Sequence, residues 1–423
     1  MRVEQALRVL PDLEALAPLR ALLLSSAPGV QSTWANAGQN LTVGKREVAP
    51  AEMRQRMGTV FKQITDHLSQ LFEAYVGALE CLERESPGEA VANLLAAGAL
   101  EEHVGRLKQA RAWFGVALDI AEGLPSRRPE VETLLSLGRL NVFLGYYEEA
   151  ARCYQRCLVL AEAEFDQAGA IDACMGLGTV ATEQAVWAGG HAWFARGLRL
   201  ADASRDERRA AQLHHGTGEL ARRQGDFTLA NNSLQQARER FEALGDAHEM
   251  ARVLLTQGLL EADLGLAARA ASAYREALAW THRSAPDAGL EVFIRLNFAR
   301  LHLRERRFLE TEQEIRRAEQ LAVANNLTRR LVQICTLFGR LRGEQGDENG
   351  FVFFEQAIHF ARMLELFPVV EAQVYHEYGN FKLLLGHAEE SRGYLERARE
   401  LFELAGASAD LERVKAEISR LSA

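Results

Sequence analysis

An all-α array of about eight helix pairs is the fold that this 423-residue sequence predicts, and three observations predict it. Glycine recurs every 40 residues, small and bulky residues recur in step with it, and proline is missing from the long middle of the chain. Gly98, Gly138, Gly178, Gly218 and Gly258 stand 40 residues apart four times running; Ala299 comes one residue late, and Gly339 and Gly379 resume the spacing. Twelve residues on lies a small residue, as at Ala110, Ala150, Gly190, Ala230 and Ala270 (eleven on after Gly339, at Gly350), and seven beyond that lies another, as at Ala117, Cys157, Gly197 and Ala237. Between them stands a bulky one: Phe114, Tyr154, Phe194, Leu234, Tyr274, Ile315, Phe354 and Leu395. No proline occurs between 130 and 285, as uninterrupted helix pairs require.

The elements follow in chain order. Residues 1–24 read as one or two short helices broken by Pro11 and Pro18. Residues 25–49 carry few apolar side chains and several Gly, Ser and Asn, the composition of a loop or mobile linker. Pro50 opens a long helix over 50–83, with Met53, Met57, Phe61, Ile64, Leu68, Leu71 and Phe72 on one face; residues 1–87 together form an N-terminal helical cap. Ser86-Pro87-Gly88-Glu89 then has the pattern of a capping box with proline at the first helical position, so the array runs over 88–406, with repeats starting near 91, 131, 171, 211, 251, 292, 332 and 372. In each, a first helix such as the Val131–Leu144 run ends in a turn, often led by glycine as at Gly105, Gly145, Gly225, Gly265, Gly346 and Gly386, where glycine suits a left-handed C-terminal residue. The early glycine costs about 1 kcal/mol of helix propensity relative to alanine, so its recurrence implies a close crossing where a side chain would collide. The weakest repeat is the sixth, with Arg295, Ala299 and Thr311 at signature positions, and the seventh has lost a residue in the turn Gly346–Gly350. Residues 407–423 close the array: Leu411, Val414, Ile418 and Leu421 form a stripe for the last repeat, while Glu412, Arg413, Lys415, Glu417 and Arg420 are expected to face away.

The spacing Gly138, Gly145, Ala150, Tyr154, Cys157 resembles the tetratricopeptide repeat (TPR), and the resemblance covers roughly 88–406. It departs from the usual period of about 34 residues, being similar to a 40-residue subclass seen in bacterial regulatory and adaptor proteins. The family's early Trp is replaced by Leu94, Leu134, Cys174, His214 and Leu254. The resemblance implies a right-handed α-solenoid whose first helices line a concave groove. Carried over position by position, it places Arg139, Phe143 and Met175 in an apolar N-terminal zone, along with Leu135. His215, Glu219 and Arg223 fall in a mixed middle stretch; Arg300, Arg304, Arg340, His376 and Asn380 fall in a C-terminal zone rich in guanidinium groups.

Signatures of chemistry are sparse. There is no P-loop, HExxH or GxSxG, and Gly176-Leu177-Gly178-Thr179, which has the look of a dinucleotide fingerprint, lies in a helix with no strand before it. Cys153 and Cys157 are four apart with Cys174 nearby, yet Cys157 occupies a slot that alanine fills in other repeats; the five cysteines read as reduced core residues, and no cofactor or metal is expected. A net charge of -9 argues against a general nucleic-acid binder. Five lysines against 44 arginines, spread along the whole chain, make genome composition a sufficient reason for arginine on exposed helix faces. No run of about 18 apolar residues predicts a membrane span, and the proline-broken start does not resemble a secretory signal, so a cytoplasmic protein is expected. The expected function is a non-catalytic protein–protein interaction scaffold binding a peptide or partner helix, acidic at one end, in the concave groove. The alternative is a ligand- or peptide-sensing regulator that transmits a change of shape. The repeat pattern leaves oligomeric state open.

Overall fold

The computed structural model describes residues 70–421, apart from 72, 75, 76, 79, 83, 104, 105, 284–286, 326 and 364–367. The expectations for residues 1–24, for the 25–49 segment, for most of the 50–83 helix and for the turn at Gly105 lie outside the described residues. Among those described, α-helices follow one another with no strand, and the chain divides into two compact units, residues 1–129 and 130–423.

The first unit holds α1 (Pro87–His103) and α2 (Leu107–Glu122). Their core gathers Leu94, Ala97, Trp113 and Ala117 with Leu71, Ala74 and Ala78 from the preceding segment. The second unit begins in α3 (Arg128–Leu144), which packs as a pair with α4 (Tyr147–Ala163). Five further pairs are α5 (Gln167–Glu183) with α6 (Trp187–Ser204), α7 (Glu207–Gln224) with α8 (Phe227–Leu244), α9 (Ala247–Asp263) with α10 (Ala267–Thr281), α11 (Ala288–Arg304) with α12 (Phe308–Ala324), and α13 (Thr328–Glu344) with α14 (Phe351–Met363). The last pair, α15 (Pro368–Leu384) and α16 (Ala388–Leu404), is followed by α17 (Ser408–Leu421). Within the second unit, from α4 onward, each helix packs against its neighbours in sequence, as in a helical-repeat array.

The repeating glycine is explained by the ring beside it. A Cβ added at Gly138 would sit 2.7 Å from Tyr154, at Gly178 2.7 Å from Phe194, at Gly258 2.4 Å from Tyr274 and at Gly339 2.4 Å from Phe354. In these pairs the ring of the second helix therefore packs against the glycine of its own first helix. At the sixth pair Ala299 and Ile315 stand in those two places, both fully buried in one cluster: a slimmer side chain on α12 leaves room for a methyl on α11.

Asp166, Asp206, Asp246 and Asp287 open the first helices α5, α7, α9 and α11, each accepting the backbone N–H three residues on. Such a cap is worth about 1 kcal/mol. Gly225 ends α7 at φ +89, the left-handed cap expected of it. In the shortened seventh turn Asp347 caps a single 3-10 turn, Glu348–Gly350, and Phe381 packs so close that a Cβ at Gly350 would lie 2.6 Å away.

Candidate functional site

The first helices α5, α7, α9 and α11 are joined by polar rungs between residues about one repeat apart. Arg209 on α7 holds Asp172 on α5 bidentately at 2.8 and 2.9 Å, and Arg223 donates to Glu183 at 2.8 Å. Between α7 and α9, Gln212 donates to Glu249 at 3.3 Å and Arg222 pairs with Asp263. The Thr256 hydroxyl donates to the Arg252 carbonyl, which leaves its oxygen to accept from His215 Nε2 at 2.8 Å. Burial, with Arg252 close by, pushes His215 down to about 3, so its ring is neutral near pH 7 and serves as a fixed hydrogen-bond group. His248 Nε2 lies 3.0 Å from Asp287, the cap of α11. These rungs tie α5, α7, α9 and α11 together into one shared wall.

Two cavities open along this wall. The larger, of about 560 Å³, lies over α5, α7, α9 and α11. Met175, Leu255, Leu290 and Phe293 supply apolar lining, the His215–Thr256 and Glu249–Arg252 contacts supply polar groups, and Arg330 from α13 stacks its guanidinium 4.5 Å from the Phe293 ring. Apolar side chains set among polar groups fixed by their own hydrogen bonds can orient a ligand in a site of this volume. The smaller cavity, of about 210 Å³, is lined by Arg300 of α11, Arg329 and Arg340 of α13, His376 and Glu377 of α15, and Arg413 of α17. Arg329 and Arg330, neighbours at the start of α13, thus face different cavities. Arg329 also lies 4.1 Å from the Phe143 ring and donates to the Phe143 carbonyl, joining α13 to α3.

The residues singled out from the sequence distribute over these features. Met175, His215 and Glu219 line the larger cavity, and Arg300, Arg340 and His376 line the smaller. Arg223 lines a third hollow, shared with Arg222, Asp410 and Arg413, and is held by Glu183. Phe143 is covered by Arg329 instead of lining either cavity. Arg139 lies a turn before it on α3, outside all three linings, and exposed Arg304 is one turn beyond Arg300 on α11. Asn380 approaches His376 Nε2 at 3.3 Å from behind the smaller cavity's lining.

One expectation is corrected. Arg413 and Glu417 were to face away from the array, yet Arg413 lines the smaller cavity and Glu417 accepts a 2.6 Å hydrogen bond from His376 Nε2. The helix keeps its apolar contact through buried Val414, but lies so that one polar edge meets α15. Arg329, Arg330 and Arg413 were not found from sequence. The adjacent arginines opening α13 were visible, but nothing in the repeat spacing marks the start of a first helix as lining.

Cys157 fills its alanine slot with Sγ 3.9 Å from the Val131 and Gly169 carbonyls, and burial pushes its thiol up to about 12 and that of Cys174 up to about 11. Thiols held in this way stay protonated and unreactive near pH 7. Among the described residues no group of three or more His, Cys, Asp or Glu is placed to hold a metal ion, and no helix is long and apolar enough to cross a membrane.

Neither a protein-family model nor a curated protein matches the chain. Solved structures do. A Rap protein complexed with competence and sporulation factor matches with a TM-score of 0.55 at 14% identity, over 84% of this chain and 99% of that one. The Rap conjugation gene regulator of the plasmid pLS20, in complex with the Phr* peptide, matches with a TM-score of 0.46 at 15% identity, over 67% and 77%. A thermophilic TPR protein of Thermus thermophilus matches with a TM-score of 0.38 at 20% identity, over 50% and 99%. The fold is that of a TPR-type helical-repeat protein.

Proposed function

We propose that the chain is a non-catalytic regulator that holds an extended peptide, or a segment of a partner protein, along the inner wall formed by α5, α7, α9, α11, α13 and α15. The observation that carries this reading is the pair of cavities flanking the start of α13, one of mixed apolar and polar lining and one cationic, at neighbouring positions on the same wall. A ligand spanning both would present apolar side chains to Met175 and Phe293 and acidic character to Arg300 and Arg340. The fold shared with a Rap protein solved with competence and sporulation factor supports a sensing role over a passive scaffold. So do the contacts that cross the wall, Phe143 with Arg329 and His376 with Glu417: a ligand that touches both sides can favour one spacing of the repeats over another.

The test is capture from cells that make the protein, followed by native mass spectrometry of what remains bound. Wild type is compared with Met175→Ala/Phe293→Ala, which removes two apolar walls of the larger cavity. A bound peptide or partner segment on the wild type, reduced about 10-fold or more on the variant, is expected, since buried apolar side chains contribute roughly 1.5–3 kcal/mol each. Equal capture by both proteins, with equal melting curves, would remove the larger cavity from the site.

A further inference from the structure

We infer that the smaller cavity is a carboxylate-receiving site and that the C-terminal helix α17 is its fourth wall, docking more tightly when the site is filled. The ligand class rests on the peptide reading above; the site itself rests on what lines it. Guanidinium groups reach it from three helices: Arg300 from α11, Arg329 and Arg340 from α13, and Arg413 from α17. Among the described lining residues the one carboxylate is Glu377, which pairs with Arg340 Nε at 3.4 Å. Gln333, Thr336, Gln373 and His376 add neutral polar groups.

Arg300 is the informative member. Its hydrogen bond goes to a neutral acceptor, Asn297 Oδ1, at 3.0 Å, with no carboxylate partner among the described residues. Burial first, and then the neighbouring Arg340, hold its guanidinium below the usual arginine range against the opposing pull of Glu377. Gathering like charges around one hollow is costly unless a counter-charge joins them, and a planar carboxylate matches the guanidinium fork. The volume of about 210 Å³ suits a terminal carboxylate with its residue, or one acidic side chain, and is too small for a folded element.

The role of α17 follows from its anchors. Glu417 holds His376 at 2.6 Å, and Arg413, paired with Asp410 at 2.6 Å, lines the cavity from a helix that otherwise rests on α16. Arg413 also lines the hollow shared with Arg222 and Arg223, where Asp263, Glu183 and its own partner Asp410 balance the guanidinium groups. An anion in the cavity would offset the repulsion between Arg300 and Arg340 and attract Arg413, drawing α17 inward; without one, the helix is held by its packing on α16, by Val414 and by the Glu417 contact.

The experiment uses the full chain and two small probes, succinate and inorganic phosphate, each titrated at constant ionic strength against sodium chloride. The expected result is a saturable rise in melting temperature with succinate, with slowed amide exchange in α17. In Arg413→Ala the midpoint should move up about 10-fold and the α17 protection should vanish, while Arg300→Gln should abolish saturation; a charge-assisted hydrogen bond is worth about that factor or more. Because Arg413 is on an exposed helix edge, that variant keeps the test open if Arg300→Gln destabilises the fold. A response no different from chloride, or unchanged midpoints in Arg413→Ala, would overturn the site. Saturation by phosphate at lower concentration than succinate would overturn its assignment to carboxylate. Failure here leaves the capture experiment at Met175 and Phe293 standing, and failure there leaves this one standing.

Discussion

The fifth and sixth helix pairs make the same crossing with different side chains. In the fifth, the Tyr274 ring lies over Gly258; in the sixth, Ile315 and Ala299 occupy those places, and both pairs are buried completely or nearly so. What the repeat requires is a combined bulk at the crossing, shared between two positions sixteen residues apart, and glycine is the form that requirement takes when the second helix brings a ring. A one-residue shift in period and the loss of the glycine made the sixth repeat look degraded in sequence; in the structure it is packed as well as its neighbours.

The comparison can be broken most severely at the fifth pair. Gly258→Leu drives a side chain into the Tyr274 ring, and we expect a loss of about 3 kcal/mol or more of stability, read as a lowered chemical-denaturation midpoint. An unchanged midpoint would mean the crossing is not as close as 2.4 Å. A smaller effect sharpens the point. Ile315→Tyr gives the sixth pair a ring while keeping the Ala299 methyl, and should cost about 2 kcal/mol; adding Ala299→Gly should recover most of it. If the two changes are simply additive, bulk is not shared across the crossing.

Caps come next. Asp246→Ala should destabilise by about 1 kcal/mol through the lost bond to the Glu249 N–H, measured the same way. The same aspartates set the acid limit. Burial alone would raise Asp206 and Asp287, but Asp206 is held below the ordinary 3.8 by the Arg209 N–H and side chain, and Asp287 by the Leu290 N–H and His248. Their contribution is present above the unfolded value near 3.8 and is lost as pH falls through the lower folded values. A pH titration of the melting temperature should therefore decline below about pH 4, and less steeply in Asp206→Asn/Asp287→Asn.

What could be read in the sequence was what repeats. The glycine, small and bulky registers mark the eight crossings because steric fit recurs at fixed spacing, and the Asp166, Asp206, Asp246 and Asp287 caps, 40 or 41 apart, were there to be read by the same rule. The inner wall was legible in position but not in role. Family register brought Met175, His215 and Glu219 to one cavity and Arg300, Arg340 and His376 to another, but it also named Arg304 and Asn380, which lie outside both linings. Contacts made once in the chain left no trace. Arg329 meets Phe143 across 186 residues, and Glu417 meets His376 from a helix whose stripe of Leu411, Val414 and Ile418 pointed only to a cap.

The Phe143–Arg329 contact has a consequence for how the second unit folds. In an array held only by nearest neighbours, pairs can form and fray independently from either end, and contacts stay local in sequence. A contact between α3 and α13, with Gly145 also lying against Val369 of α15, closes a loop through most of the unit. Closing it late costs chain entropy after the local pairs are in place, so the final folding step should be slower than pair formation and should tie early and late repeats into one cooperative transition.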